Sequence, residues 1–444
     1  MSEKKHPKIS LFAAIVININ IMIGAGIFIT PPIMAQKSGP LSFLGWGLSA
    51  IIFLPLVFSI AKISKFLPDE GSFFNYARSG LGTTAGFLCG WAYFLTYLGA
   101  MSVQGFSFRE LLIARFDLPL IAAHPIIFNL FFFAIFYLLS LISIKIVSKI
   151  QSILTFAKLL PLIILILAAL YLLLSGKLIL KGYSAPNYSL LDLKYSIPLA
   201  IFGFWGFESC CSISHLIEEG EKNASRAILL GFFITVLIYT VFHLGLIQIM
   251  GFENLATQGT SGFISFLYIT SPLILSAIST IIIMSIFCSY AGAIYGEVNA
   301  QSFLLNSMAK EKIVFFPNFL KKMNVFHRPY TAMFTQSFLA FAFLSLINHK
   351  VTLISITNLG QLFTLTLTLV SLIVILVKKN ALKEIITPII GIISCLILGY
   401  FSWIEIGSVI YILPFVSLLI IGLIIFKFQT ACPKSGKSCC FMKK

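Results

Sequence analysis

Asn20-Ile21-Met22-Ile23-Gly24-Ala25-Gly26-Ile27-Phe28 lies in the first apolar run of this chain, and Phe202-Gly203-Phe204-Trp205-Gly206-Phe207-Glu208 lies in the sixth. Each stretch sets two glycines inside a segment otherwise apolar enough to cross a membrane. Glycine accepts dihedrals that other residues avoid and lets a ligand or a second backbone come close. Gly24 stands about 14 residues, or ~21 Å, above the cytoplasmic start of its run, and Gly203 and Gly206 stand about 11 to 14 residues, or ~16 to 21 Å, above the cytoplasmic end of theirs. The two interruptions therefore fall at one depth. Paired small residues also serve close helix packing, and the coincidence of depth is what favours two unwound segments facing each other.

The rest of the chain supplies the membrane context. Of 444 residues, 59% are hydrophobic and only 10% charged, and the mean hydropathy is +1.00. No soluble domain hides that much apolar surface from water. Runs long enough to cross ~30 Å of hydrocarbon, roughly 20 residues each, recur at 10–31, 41–62, 82–106, 121–144, 150–175, 196–217, 227–250, 272–304, 331–348, 352–377, 384–403 and 407–428. Continuous apolar runs without strict alternation exclude a β-barrel. The expected fold class is an all-α membrane protein of about twelve transmembrane helices.

With the N-terminus inside, 23 of the 31 Lys and Arg fall in cytoplasmic segments, and outside lie only Lys37, Arg109, Arg115, Lys177, Lys181, Lys194 and Lys350. That asymmetry predicts cytoplasmic termini and an even number of spans. Topology and anionic lipid account for the net charge of +16, so nucleic acid is not an expected partner. The first run is too long for a signal peptide and has no small-residue cleavage site. Cys89, Cys210, Cys211, Cys288 and Cys395 fall in spans and read as free buried thiols.

Spans one to five and six to ten are of similar length, and an odd number of helices per half makes the second half enter from the opposite side. The expected organisation is a cytoplasmic N-terminus (1–9), a ten-helix core of two inverted halves (10–175 and 196–377), two added helices (384–428) and a basic, Cys-containing tail (429–444). Transporters with inverted repeats place midplane sites at matching helix breaks. A channel or receptor is disfavoured, since no repeated pore signature or large ligand-binding domain is present. A membrane enzyme is disfavoured because the six histidines are scattered, and His124, His215 and His243 have no metal spacing. In the tail, Ser435-Gly436-Lys437-Ser438 imitates a phosphate-binding loop, but Ala431 stands where its first glycine is required.

The motifs resemble those of the amino acid, polyamine and organocation permease superfamily, whose first helix carries a Gly-x-Gly-Ile-Phe break and whose sixth carries an aromatic-rich Gly-Phe-Glu segment. Lys37-Ser38-Gly39-Pro40, Leu67 to Tyr76, Gly86-Phe87-Leu88-Cys89-Gly90-Trp91, Lys149 to Thr155 and Glu221 to Ile228 extend the resemblance in order over residues 10 to 330. It implies a secondary carrier of amino acids or amines working by alternating access. No cofactor is expected, a proton or substrate gradient being the driving force; whether the mode is proton-coupled uptake or exchange, as in antiport of a cationic amino acid or polyamine against its decarboxylation product, stays open.

The resemblance also implies roles. Amides at Gly24, Ala25 and Gly26, at the positive end of a half-helix, suit a substrate carboxylate. Carbonyls of Ile23, Phe202, Gly203 and Trp205 suit its ammonium. Phe202, Phe204, Trp205 and Phe207 are candidates for an aromatic wall, Trp205 foremost, with at least half of the four expected to be ordinary packing. Glu208 is counted with the substrate site, because a carboxylate in a membrane helix costs roughly 2.5 kcal/mol unless it faces a cavity or partner; gating or proton linkage is its other implied role. Glu297 is the other intramembrane acid, close enough to the cytoplasmic end of span eight that snorkelling is the favoured reading; facing inward, it would with Glu208 allow a cationic amino acid, as the aromatic-rich sixth span allows a large neutral one. Lys158 is the basic residue deepest in a span, about eight residues or ~12 Å into span five. Buried lysines take up and release protons readily, and in proton-coupled members of the superfamily a lysine here lies near the first break and a span-eight hydroxyl. Lys158 with Ser285 or Ser289 is thus the expected proton-coupling group.

Overall fold

Backbone that meets lipid must close its hydrogen bonds within its own segment. In the computed structural model, which describes residues 8–24, 26–67, 71–175, 187–266, 272–347 and 349–431, it does so as helices joined by short turns, with no strand among the described residues. Nine helices in that part of the chain are long and apolar enough to cross a membrane; a bent pair makes a tenth, and two shorter apolar helices occupy the positions expected for spans four and nine.

Span one is the bent pair, Leu11–Met22 and Gly26–Ser38, turned by 47° at the break. Its outer half runs past the expected end at residue 31 in spite of Pro31 and Pro32. Each proline withholds an amide from the carbonyl four residues earlier. For Pro32 that carbonyl belongs to Phe28, and the Thr260 hydroxyl donates to it at 2.5 Å, so that acceptor is not orphaned.

The remaining spans are Leu44–Phe66, Thr83–Phe116, Pro125–Leu139, Ile144–Leu174, the irregular sixth, Gly220–Met250, Pro272–Lys310, Tyr330–Leu346, Lys350–Lys378, Ile386–Ile406 and Leu413–Ala431. Span six differs most from expectation. Only Ile197–Phe204 is α-helix, and the remainder continues as the single turns Ser209–Cys211 and Ser214–Leu216.

The inner half of span one is buried nearly all round, packed among spans five, seven and eight. Two buried asparagines lace it in place. The Asn18 amide donates to the Phe207 carbonyl at 2.9 Å, and the Asn20 amide donates to the Gly292 carbonyl at 2.8 Å. Spans three and ten pack by reciprocal small residues: a Cβ on Gly99 would lie 2.6 Å from Thr357 Oγ1, and one on Gly360 would lie 2.4 Å from Thr96 Oγ1. Residues such as Leu167, Leu237, Leu396 and Ile420 are exposed on the outer surface, as lipid-facing residues must be.

On the expected cytoplasmic side the chain before span one pairs with the chain after span six. The Ile9 amide donates to the Leu216 carbonyl at 2.9 Å, and the Glu218 amide donates to the Ile9 carbonyl at 2.9 Å. A short amphipathic helix, Ser72–Leu81, links spans two and three and is tied to the end of span eight by an Arg78–Glu311 ion pair at 2.9 Å. Residues 68–70 of the loop motif, Lys177 and Lys181, the first seven residues and the tail from Cys432 lie outside the described residues.

Candidate functional site

The two breaks meet. A Cβ on Gly26 would lie 3.2 Å from the Gly203 Cα, and Gly206, at φ +101°, would drive a Cβ to 2.9 Å from Ile21 Cγ2. At Gly206 both the left-handed dihedral and the close approach require glycine. Between the breaks lies a small cavity of about 30 Å³, about one water's share of liquid volume. Met22, Gly24 and Gly26 of span one line it with Phe202, Trp205 and Gly206 of span six. Thr96, Tyr97, Ala100 and Gln104 of span three, Glu297 of span eight and Thr357 of span ten complete it.

A helix that stops at Met22 leaves its last carbonyls without intrahelical donors, and side chains from other spans supply them. Lys158 Nζ donates to the Asn20 carbonyl at 2.8 Å and to the Ile23 carbonyl at 2.5 Å, and lies 3.4 Å from the Ser289 carbonyl. The Tyr239 hydroxyl donates to the Met22 carbonyl at 2.9 Å. The Ser289 hydroxyl reaches the carbonyls of Ile23 at 3.1 Å and Gly24 at 2.8 Å. A cation at the C-terminal end of a half-helix meets the negative pole of its dipole, and among the described residues no carboxylate forms an ion pair with Lys158. The Ile23 carbonyl, expected to face an ammonium, is thus occupied by the protein's own ammonium and a serine hydroxyl. Ser285 is not at the break; its hydroxyl donates back to Ile281 at 2.8 Å.

Trp205 caps the helical part of span six, lines the cavity and donates from Nε1 to Asn358 Oδ1 of span ten at 2.7 Å. Phe202 lines it as well. Phe204 and Phe207 do not: they pack with Phe53 and Phe232 behind the break, at ring-centroid distances of 5.3 to 6.2 Å. Gly203 sits at the contact with span one, packed against Trp46 and Tyr239. Ala25 lies outside the described residues. Glu208 is fully buried but does not line the cavity. It stands behind Tyr97, whose hydroxyl donates to Glu208 Oε1 at 2.6 Å, with the Tyr93 hydroxyl at 3.3 Å.

Glu297 corrects an expectation. Span eight runs on to Lys310, about 13 residues, or ~20 Å, past Glu297, and the carboxylate faces the interior of the bundle. It is buried and borders the cavity, accepting from Gln104 Nε2 at 2.7 Å. Gln104, Tyr97, Asn358, Asn20 and Tyr239 were not singled out from sequence. The available signal was a polar group inside an apolar run, which marks expense without marking direction. The five thiols Cys89, Cys210, Cys211, Cys288 and Cys395 are free, and no metal-binding group of His, Cys, Asp or Glu exists among the described residues.

A membrane-spanning helical bundle whose first and sixth spans are both broken, with a polar cavity between the breaks, is the architecture of a transporter. The amino acid permease family model matches residues 9–426, and the chain belongs to that family. Among its relatives are the serine/threonine exchanger SteT of Bacillus subtilis, 27% identical over 75% of each chain, and the methylthioribose transporter of the same organism, 23% identical over 91% of this chain and 92% of the relative. The putrescine transporter PotE of Haemophilus influenzae is 24% identical over 76% of this chain and 75% of the relative.

Proposed function

We propose that this chain is a secondary transporter of amino acids in the cell (inner) membrane, with both termini cytoplasmic, working by alternating access. The observation that carries the reading is the meeting of the two broken spans around one polar cavity. In the proposed binding mode the substrate carboxylate sits on the first-turn amides of the outer half of span one, which begins at Gly26, where orphaned donors and the helix dipole favour an anion; the Gly24 amide is set aside because it donates to the Met22 carbonyl. The carbonyls of Phe202, Gly203 and Trp205 take the ammonium; that of Ile23 is set aside because Lys158 and Ser289 already fill it. Phe202 and Trp205 face the side chain. Glu208 acts through Tyr97, not by touching the substrate.

The cavity is about 30 Å³, so the described conformation is contracted and the substrate enters by separation of the spans around the breaks. The Ile9 pairing with Leu216 and Glu218 links the ends of both broken spans, where such a separation has to be transmitted. Lys158, held by the carbonyls of the break, is the proposed proton-coupling group, with Ser289 as its neighbour; the Ser285 hydroxyl instead donates to the Ile281 carbonyl. Loss of the Lys158 proton removes the positive charge and one of the three N–H groups that hold the Asn20 and Ile23 carbonyls, which links protonation to the shape of the break. The fact that relatives include both exchangers and a proton symporter makes the energy source a matter for measurement.

The test is uptake and counterflow of a panel of radiolabelled amino acids by the purified chain in proteoliposomes. Saturable uptake or exchange of at least one is expected. Absence of both for every amino acid and amine tried overturns the reading, and conductance far above carrier turnover would make the protein a channel.

A further inference from the structure

Resting on that reading, we infer that Glu297 and Gln104 form the subsite for a cationic end of the substrate, so that the preferred substrates are amino acids whose side chain ends in an ammonium or guanidinium. Both residues border the cavity, from span eight and span three. Gln104 Nε2 donates to Glu297 Oε1 at 2.7 Å. An ionised carboxylate only accepts, so the glutamine must present its NH₂ to it and turn its carbonyl oxygen elsewhere. That oxygen, Gln104 Oε1, lies 3.5 Å from the Cβ position of Gly24, against the span-one break. It and Glu297 Oε2 are both buried without a hydrogen-bond partner.

Two unpaired acceptors side by side, one of them a carboxylate, at the edge of a cavity bounded by Trp205 are a poor structural device. Each unmet buried acceptor retains its desolvation cost; Glu208 Oε2 also lacks a partner, but of the two acids only Glu297 borders the cavity. A nitrogen cation with two or more N–H groups meets both acceptors at the cavity edge. The Glu297 carboxylate is positioned by the Gln104 amide that donates to its Oε1.

The experiment is competition and counterflow with the purified full chain in proteoliposomes, comparing lysine, ornithine, arginine and putrescine with serine, leucine and glutamate. Wild type is expected to prefer the cationic amino acids. Glu297→Gln, of the same shape, is expected to raise KM for lysine or ornithine by about tenfold to a hundredfold, the value of a charged hydrogen bond, with Glu297→Asp recovering part of the loss. Should Glu297→Gln fail to fold, Gln104→Met is expected to shift the preference in the same direction. A wild type that exchanges serine or leucine while ignoring lysine, ornithine and arginine overturns this inference and leaves the transporter reading standing, as does a Glu297→Gln variant with unchanged lysine-over-serine preference. Preference for putrescine over every amino acid also overturns it, since the carboxylate subsite is then unused. No transport of any compound instead overturns the reading on which it rests.

Discussion

Replacing Lys158 by methionine separates the stability of the break from its driving force. Methionine keeps the length and most of the volume of lysine and removes its three donors. Of the carbonyls now served by Nζ, that of Ile23 keeps the Ser289 hydroxyl at 3.1 Å. The Ser289 carbonyl, at 3.4 Å, is the weakest contact. The Asn20 carbonyl loses its donor at 2.8 Å, and the amide four residues on cannot replace it because the Gly24 amide donates to Met22 at 2.9 Å. One orphaned buried carbonyl costs about 1–3 kcal/mol. Against this, the variant no longer buries an ammonium without an acidic partner, a penalty of several kcal/mol in the unmodified protein. The two effects oppose, and the variant is expected to stay folded, with a net change of less than about 3 kcal/mol. Transport should not survive so well. In proteoliposomes, accumulation driven by an imposed pH gradient should fall to the leak, while counterflow at equal pH on both sides persists within about tenfold, or ~1.4 kcal/mol. Accumulation by Lys158→Met with the pH dependence of wild type would refute the assignment of Lys158 as the coupling group.

Three further substitutions probe the breaks. Gly206→Ala puts a side chain at φ +101° with its Cβ 2.9 Å from Ile21 Cγ2; backbone strain of about 1–3 kcal/mol should lower the thermal midpoint in detergent, and an unchanged melt would contradict the packing described. Gly26→Val drives a branched side chain against Gly203, whose Cα is 3.2 Å from the Cβ position, and should abolish substrate binding by scintillation proximity while the protein remains monodisperse. Trp205→Phe removes the 2.7 Å bond to Asn358 Oδ1 and leaves that oxygen unpaired, so apparent affinity should fall by about tenfold, consistent with ~1–3 kcal/mol; unaltered affinity would place the substrate away from Trp205.

The spans were legible because lipid imposes one requirement on every segment at once: about twenty apolar residues with an internally closed backbone. The breaks were legible for a local reason, since a Gly-x-Gly or Gly-x-x-Gly inside such a segment is visible without knowing its neighbours. The extents were less so. Span eight was expected to end at 304, yet the helix continues to Lys310, and Glu297 borders the cavity. Span six was expected as one run to 217, and the turns after Phe204 have no hydropathy signature, being as apolar as a helix.

The sequence by itself determined that the protein lives in lipid, where its apolar runs lie, where its first and sixth spans weaken, and that Lys158 and Glu208 must find shelter. The tertiary structure decided what shelters them: Lys158 by carbonyls more than a hundred residues away, Glu208 by Tyr93 and Tyr97, and Glu297 by Gln104. It bonds the Ser289 hydroxyl to the Ile23 carbonyl and the Ser285 hydroxyl to Ile281, and it sets Trp205 and Phe202, rather than Phe204 and Phe207, on the cavity wall. The physical reason is that hydropathy and glycine placement act through each residue's own solvent and dihedrals, which sequence records directly. The partner of a buried polar group depends on how helices rotate about their axes, and in spans apolar on every side no periodicity records that rotation.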